Sequence, residues 1–247
     1  MLEFSEPKVL FEKGHTLSLI EYHGTFFGYL GHVLFDKVEV YSGKDLYNLS
    51  KVGELDGYRW GSAVVFNDKV FLFCTRQDVL SRLPLVNPYR FQRIFLLVSE
   101  DGIVFENKGE VLKGSAPSVY QEDGLFYLLF HRRNPHQILF HTTENPGIIN
   151  AKKVSLLKST DFTLSAPSLV TVNGEYWLVC EYLDFKNVWR SLLFRGDSLD
   201  YLRLDEQLFL ENGACAFQHI FGDRYVLTYS DPNGKESWRL MVKEAKL

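Results

Sequence analysis

A chain of 247 residues with 31 acidic and 27 basic side chains has a formal net charge of −4, which excludes the concentrated basic field of a nucleic-acid surface. No apolar run approaches the roughly 20 residues needed to cross a bilayer, so no membrane partner is expected. The length allows one sizeable core, and 20 Phe with 13 Tyr tilt the composition toward β structure.

The opening residues, MLEFSEPKVLFEKG, lack a basic segment followed by an apolar one, so no signal peptide is read and a cytoplasmic location is expected. Pro7–Gly14 reads as a lone strand. After it, one unit repeats five times. The first pairs LSLIEY with TFFGYLG across His23-Gly24, and continues through KVEVYS to KVGELDG. The second pairs SAVVF with KVFLFCT across Asn67-Asp68, then RIFLLVS and KGEVLKG. The third and fourth open on the same tetrapeptide: SAPSVYQEDGLFYLLFH turns at Asp123-Gly124, and SAPSLVTVNGEYWLVCE at Asn173-Gly174. They continue through QILFHTT to KVSLLKS, and through WRSLLFR to EQLFLENG. The fifth pairs CAFQHIF with RYVLTYS across Gly222-Asp223 and ends in WRLMVKE. Asn, Asp and Gly are the residues that accept the positive φ of such two-residue turns.

The fifth unit has three strands, and PKVLFEKG reads as its missing fourth. The sequence therefore predicts an all-β fold, a five-bladed β-propeller closed by the N-terminal strand completing the last blade. Its blades would span about 15–56, 60–113, 114–159, 164–212 and 213–247 plus 3–13, in one domain. Ala63, Ala116, Ala166 and Ala214 recur at intervals of 53, 50 and 48 residues, one per blade. A β-sandwich also spaces short strands by turns, but it requires neither the recurring phrase nor the matching N-terminal strand. Asp45–Ser50 and Asp78–Leu83 read as short helical or loop excursions. The stretch Gln77–Gln92, with Pro84 and Pro88, is long enough to be a binding loop. Cys74 and Cys180 share a phase and Cys215 lies in another kind of strand; with no zinc-ligand spacing, they read as small apolar residues, and no metal or other cofactor is expected.

In a propeller, the starts of the inner strands and the ends of the second strands meet on one face and form a funnel. The inner-strand starts offer His15, Trp60, Ser115 and Ser165. The second-strand ends offer His32, Thr75, Arg76, His131, Arg132, Arg133, Glu181, Tyr182, Asp184, Tyr229, Ser230 and Asp231. Polar groups converging on a concave mouth suit a small ligand, and Trp60, Tyr182 and Tyr229 would offer flat faces to sugar rings. Glu181 follows the apolar run YWLVC, where burial demands a partner or a raised pKa.

GSAVVFNDKVFLFCT, the two SAPS units and the turn in VSEDGIVFEN resemble phrases of the five-bladed propeller glycosidases, the clan of levansucrases, invertases and arabinanases. The resemblance spans the whole chain and implies a saccharide ligand and glycosidic hydrolysis. It also places the clan's nucleophile near His15-Thr16, its transition-state Asp on Ala116 and its acid on Ser165, none of them a carboxylate. The clan's channel histidine falls on Ala214-Cys215, with Gln218-His219 the nearest substitute. Three readings follow. The favoured one is a glycosidase whose acids have moved, with Glu181 as acid and Asp231, Asp184 or Asp56 as counterpart. In that reading His15, Trp60, Arg76, His131, Arg132, Tyr182, Asp184 and Tyr229 bind substrate. The others are a non-catalytic carbohydrate-binding propeller and a protein-interaction scaffold. The arginines Arg76, Arg132, Arg133 and Arg190 favour an anionic saccharide.

Overall fold

Five four-stranded antiparallel sheets stand around one axis. The structure is a computed structural model that describes residues 2–32, 35–77, 92–133, 136–157, 164–205, 210, 212–232 and 238–247. An N-terminal strand, β1 (Lys8–Phe11), precedes blade one, which comprises β2 (Thr16–Tyr22), β3 (Thr25–His32), β4 (Lys37–Gly43) and β5 (Leu49–Asp56). Blade two holds β6 (Arg59–Phe66), β7 (Lys69–Gln77), β8 (Gln92–Ser99) and β9 (Glu106–Lys113). Blade three holds β10 (Ser115–Glu122), β11 (Leu125–Arg133), β12 (His136–Thr143) and β13 (Ser155–Leu156). Blade four holds β14 (Ser165–Val172), β15 (Glu175–Leu183), β16 (Trp189–Gly196) and β17 (Arg203–Leu204), and blade five β18 (Ala214–Phe221), β19 (Arg224–Asp231) and β20 (Arg239–Lys246).

The ring closes as the sequence predicts. β1 joins the outer edge of blade five, with Lys8 opposite Val242, Val9 opposite Met241 and Phe11 opposite Leu240. All five inner hairpins turn in two residues, and His23, Asn67, Asp68, Asp123 and Asn173 take positive φ there, as do Gly24, Gly124, Gly174 and Gly222. The excursion expected at Asp45–Ser50 is a loop rather than a helix, and ends earlier. Asp45–Asn48 is a turn in which the Asp45 carboxylate accepts from the backbone N–H groups of Tyr47 and Asn48, and β5 starts at Leu49. In blade four the outer strand among the described residues is Arg203–Leu204; of the expected EQLFLENG, residues 206–209 and 211 lie outside the described residues, and Leu210 bridges Ser191. Asp78–Leu83, and the Gln77–Gln92 loop between its end residues, lie outside the described residues.

The middle strands of each blade are buried on both faces, so they read as nearly continuous apolar runs, and alternation sends successive residues to opposite neighbours. In β15, Leu178 and Cys180 pack toward blade three, whereas Trp177 and Val179 pack toward blade five. In β11, Leu128 and Phe130 face blade two and Leu129 faces blade four. The core is thus five wedges, one per blade interface. The wedge between blades five and one unites Leu17, Leu30, Val226 and Leu240, joining the two ends of the chain. Full burial of each such side chain contributes about 1.5–3 kcal/mol.

Polar latches repeat around the axis. The hydroxyls of Ser18, Ser62 and Ser168 accept from the backbone N–H groups of Ala63, Val119 and Gln218 on the next blade, each at 2.9 Å. Between blades five and one, His219 Nε2 and the Thr228 hydroxyl reach the Leu17 carbonyl, at 3.2 and 3.1 Å.

Candidate functional site: the mouth of the propeller

The inner strands of blades two to five each begin with a bulge whose second residue lies in the left-handed region: Trp60, Ala116, Ala166 and Cys215, with φ of 50°, 48°, 43° and 50°. The bulge turns the backbone N–H of that residue toward the preceding blade, where it needs an acceptor. Thr75 Oγ1 accepts from the Ala116 N–H at 3.0 Å. Glu181 Oε2 accepts from the Cys215 N–H at 2.7 Å, while its Oε1 accepts from the Ser165 hydroxyl at 3.0 Å. Thr75 and Glu181 occupy the same register position, directly opposite the first residue of their blade's inner strand. His131 and Ser230 stand there in blades three and five, and both are buried. Glu181 is therefore buried, as the sequence predicts, with its carboxylate binding two donors and joining blades four and five.

Trp60 does not offer a face to a ligand. Its side chain is 9% exposed and packs with Ala116 and Ala166, the bulge residues of the next two blades. The Arg59 guanidinium lies 5.8 Å from its ring centroid and is held by Asp36. Its indole Nε1 has no hydrogen-bond partner among the described residues. The positions that the resemblance assigns to two catalytic carboxylates thus lie at, or next to, a small apolar plug that three blades share.

The remaining predicted residues separate. Tyr229 is 6% exposed and belongs to the wedge between blades four and five; burial pushes its hydroxyl up to about 12. Tyr182 packs into the wedge between blades three and four. Arg76 is exposed and lies over the rings of Tyr58 and Phe95, at 5.8 and 5.6 Å. His131 is buried and Arg132 exposed. The side chain of Arg133 lies outside the described residues. Asp184 caps its own loop, accepting from the N–H groups of Lys186 and Val188 and from Arg190 Nε at 2.9 Å. These bonds, the Val188 N–H first, hold its carboxyl below the usual range. Asp231 is paired with Arg239 at 2.9 Å.

His15 comes together with His32, which the sequence also offers at the mouth, and with two tryptophans that it does not. Its ring lies 5.1 Å from Trp238 and 6.4 Å from His32, and Trp238 meets Trp189 edge-on at 5.9 Å. Burial and the neighbouring His32 push the His15 imidazole down to about 4, so it is neutral at physiological pH. Trp189 and Trp238 occupy equivalent places, each ahead of an arginine that an aspartate clamps: Arg190 on Asp184, just past β15, and Arg239 on Asp231 at the end of β19. The carbonyls of the two tryptophans accept the N–H groups of Gly213 and Gly14, just before the next inner strand. The signal was the repeated Trp-Arg opening WRSLLFR and WRLMVKE. Together these side chains form an aromatic corner spanning blades four, five and one. Among the described residues, no group of three or more His, Cys, Asp or Glu side chains is placed to hold a metal ion. Nor is any helix there long and apolar enough to cross a membrane.

This fold is that of the five-bladed propeller glycosidases. No family model matches the sequence, and no curated protein matches it in sequence. Among solved structures, the native arabinanase of Bacillus subtilis superposes with a TM-score of 0.71 at 14% identity, covering 95% of each chain. A β-xylosidase gives 0.75 at 14% identity, over 98% of this chain and 95% of the other. The exo-β-1,3-galactanase of Phanerochaete chrysosporium, solved with β-1,3-galactotriose, gives 0.72 at 15% identity, over 96% of this chain and 64% of its own.

Proposed function

We propose that this propeller binds a saccharide at the aromatic corner of its mouth and does not cleave it by the two-carboxylate route. The observation that carries this reading is the pairing of Trp189 and Trp238 beside His15. An indole face is apolar and flat, complementary to the C–H face of a sugar ring, and the flanking Arg and Asp side chains offer hydrogen bonds to hydroxyls. The fold likeness to enzymes that act on arabinan, xylosides and galactan supports a carbohydrate as the ligand class. Against hydrolysis stands the state of the carboxylates. Glycoside cleavage needs one carboxyl that holds a proton and a second that is ionised, both facing the scissile bond. Glu181 binds two backbone and side-chain donors, and Asp184 and Asp231 are each clamped by an arginine. The clamped arginines have their charge answered, which favours a neutral saccharide over an anionic one at this corner.

Glycan-array screening followed by titration calorimetry tests the reading. Trp238→Ala and Trp189→Ala should each weaken binding by at least about 30-fold, the scale of about 2 kcal/mol for a buried aromatic anchor. Glu181→Gln should leave binding intact. Release of reducing sugar that Glu181→Gln or Asp231→Asn abolishes would overturn the proposal and restore the displaced-acid enzyme.

A further inference from the structure

A cavity among the described residues lies not at the mouth but in the channel behind it. It has a volume of about 520 Å³, and its lining runs from Ser18, Ser62 and Ser118 to the hairpin ends at Glu21, Gln121 and Gly222. That size is in the range of about 300–1,000 Å³ typical of small-molecule sites. Trp60, Ala116 and Ala166 stand two residues nearer the mouth than Ser62, Ser118 and Ser168, pack together across three blades, and border none of it. The plug thus separates the cavity from the mouth, and the cavity opens on the opposite, hairpin face.

The lining chemistry selects the ligand. Each inner strand ends its sheet, so the backbone edge it turns to the channel has no strand partner. Ser18 and Ser62 each accept one backbone N–H, and their own hydroxyl protons have no acceptor among the described residues. No Lys or Arg lines the space, and its one carboxylate, Glu21, is exposed at the rim. Between the polar groups lie apolar walls: Val64, Val65 and Leu169 on one side, and on the other Phe217, His219 and Phe221, stacked at 6.3 and 6.1 Å. Hydrogen-bonding edges alternating with flat apolar walls, without a cation to answer an anion, match an uncharged ring bearing several hydroxyls.

We propose that the channel is a second ligand site, entered from the hairpin face, for a neutral polyhydroxylated ring of monosaccharide or cyclitol size. It does not depend on saccharide binding at the mouth.

D-Glucose and myo-inositol serve as neutral probes and D-glucuronate as the charged control, with binding measured by calorimetry and ligand-observed NMR on the full chain. At least one neutral probe should bind, with D-glucuronate at least tenfold weaker. Gln121→Trp, a rim substitution at an exposed position, should cut affinity at least tenfold while Trp238→Ala leaves it unchanged. Failure of both neutral probes to bind, binding indifferent to Gln121→Trp, or equal affinity for D-glucuronate would each overturn the proposal. Loss on Trp238→Ala with none on Gln121→Trp would assign the ligand to the mouth instead, and equally overturn it.

Discussion

Substitution at Glu181 separates a latch from a catalytic acid. In Glu181→Ala the Cys215 N–H, buried in its bulge, loses a charged acceptor at 2.7 Å, and the Ser165 hydroxyl loses one at 3.0 Å. A buried hydrogen bond to a charged group is worth about 1.5–3 kcal/mol, and water entering the vacated space recovers part of it, so the expected loss is about 2 kcal/mol. For a chain of this size that lowers the melting temperature by about 4–8 °C. Glu181→Gln should behave differently. Its amide oxygen can accept from Cys215, and its NH2 can donate to Ser165 Oγ once that hydroxyl reorients, so the cost should stay below about 1 kcal/mol. Thr75→Val is the internal control, because it removes the acceptor of the Ala116 N–H at the equivalent position of blade two, for about 1–2 kcal/mol. Thermal and urea unfolding of the three variants provides the measurement. A Glu181→Ala protein as stable as the parent, or a Gln variant as damaged as the Ala variant, would refute the latch.

Four further outcomes follow from the same geometry. Gly31→Ala should destabilise the protein by about 1–3 kcal/mol, since the new Cβ would lie 2.9 Å from the Trp60 backbone nitrogen and against the Thr16 hydroxyl; an unchanged urea midpoint would contradict this. Trp60→Ala should cost about 3–5 kcal/mol and open the channel to the mouth, detectable by unfolding and by dye access, whereas a surface tryptophan would cost little. Burial pushes the His219 imidazole down to about 4 against an unfolded value of 6.5, so the unfolded chain binds the extra proton between those limits. The contribution is complete above pH 6.5 and is lost as pH falls toward 4, on the order of 3 kcal/mol, and His219→Gln should flatten that slope. Deleting residues 1–13 removes the outer strand of blade five and should broaden and lower the unfolding transition; a truncated chain as stable as the full one would mean that β1 closes nothing.

Much of the fold was legible because its signals are local and repeated. The Asn, Asp and Gly turns, the SAPS phrase and the three-stranded last unit are each readable without knowing any contact. The short strand Arg203–Leu204 in blade four was not, because it pairs through only two residues and neither announces a strand. At the site, the residues misplaced by sequence reasoning were those where strand alternation was left uncounted. Tyr182 lies two and four residues beyond Cys180 and Leu178, and Tyr229 two and four beyond Leu227 and Tyr225, so each shares the face of its neighbours and enters the same wedge. The burial of Glu181 was legible from YWLVC, but its partner was not. That partner is a backbone N–H from the next blade, exposed by a bulge that no residue type announces.

A carboxylate in a propeller takes its meaning from rotation about the axis. Carried blade by blade, the position of Glu181 holds Gly31, Thr75, His131 and Ser230. A catalytic residue would be singular under that rotation and its neighbours arbitrary. Instead Thr75, with no acidic chemistry, makes the same bond to Ala116 that Glu181 makes to Cys215. Where the position is Gly31, the next blade's Trp60 backbone comes close enough to leave no room for a side chain. What recurs is the need to hold one blade's bulge against the blade before it, and the residue varies with the space available. By the same rotation Trp189-Arg190 and Trp238-Arg239 recur in two adjacent blades and not as far as blades two and three, where Gln92-Arg93 and His136-Gln137 stand. Closure requires latches in every blade, so a device confined to one sector of the ring answers to something other than closure. That asymmetry supports the ligand site proposed on the side of blades four, five and one.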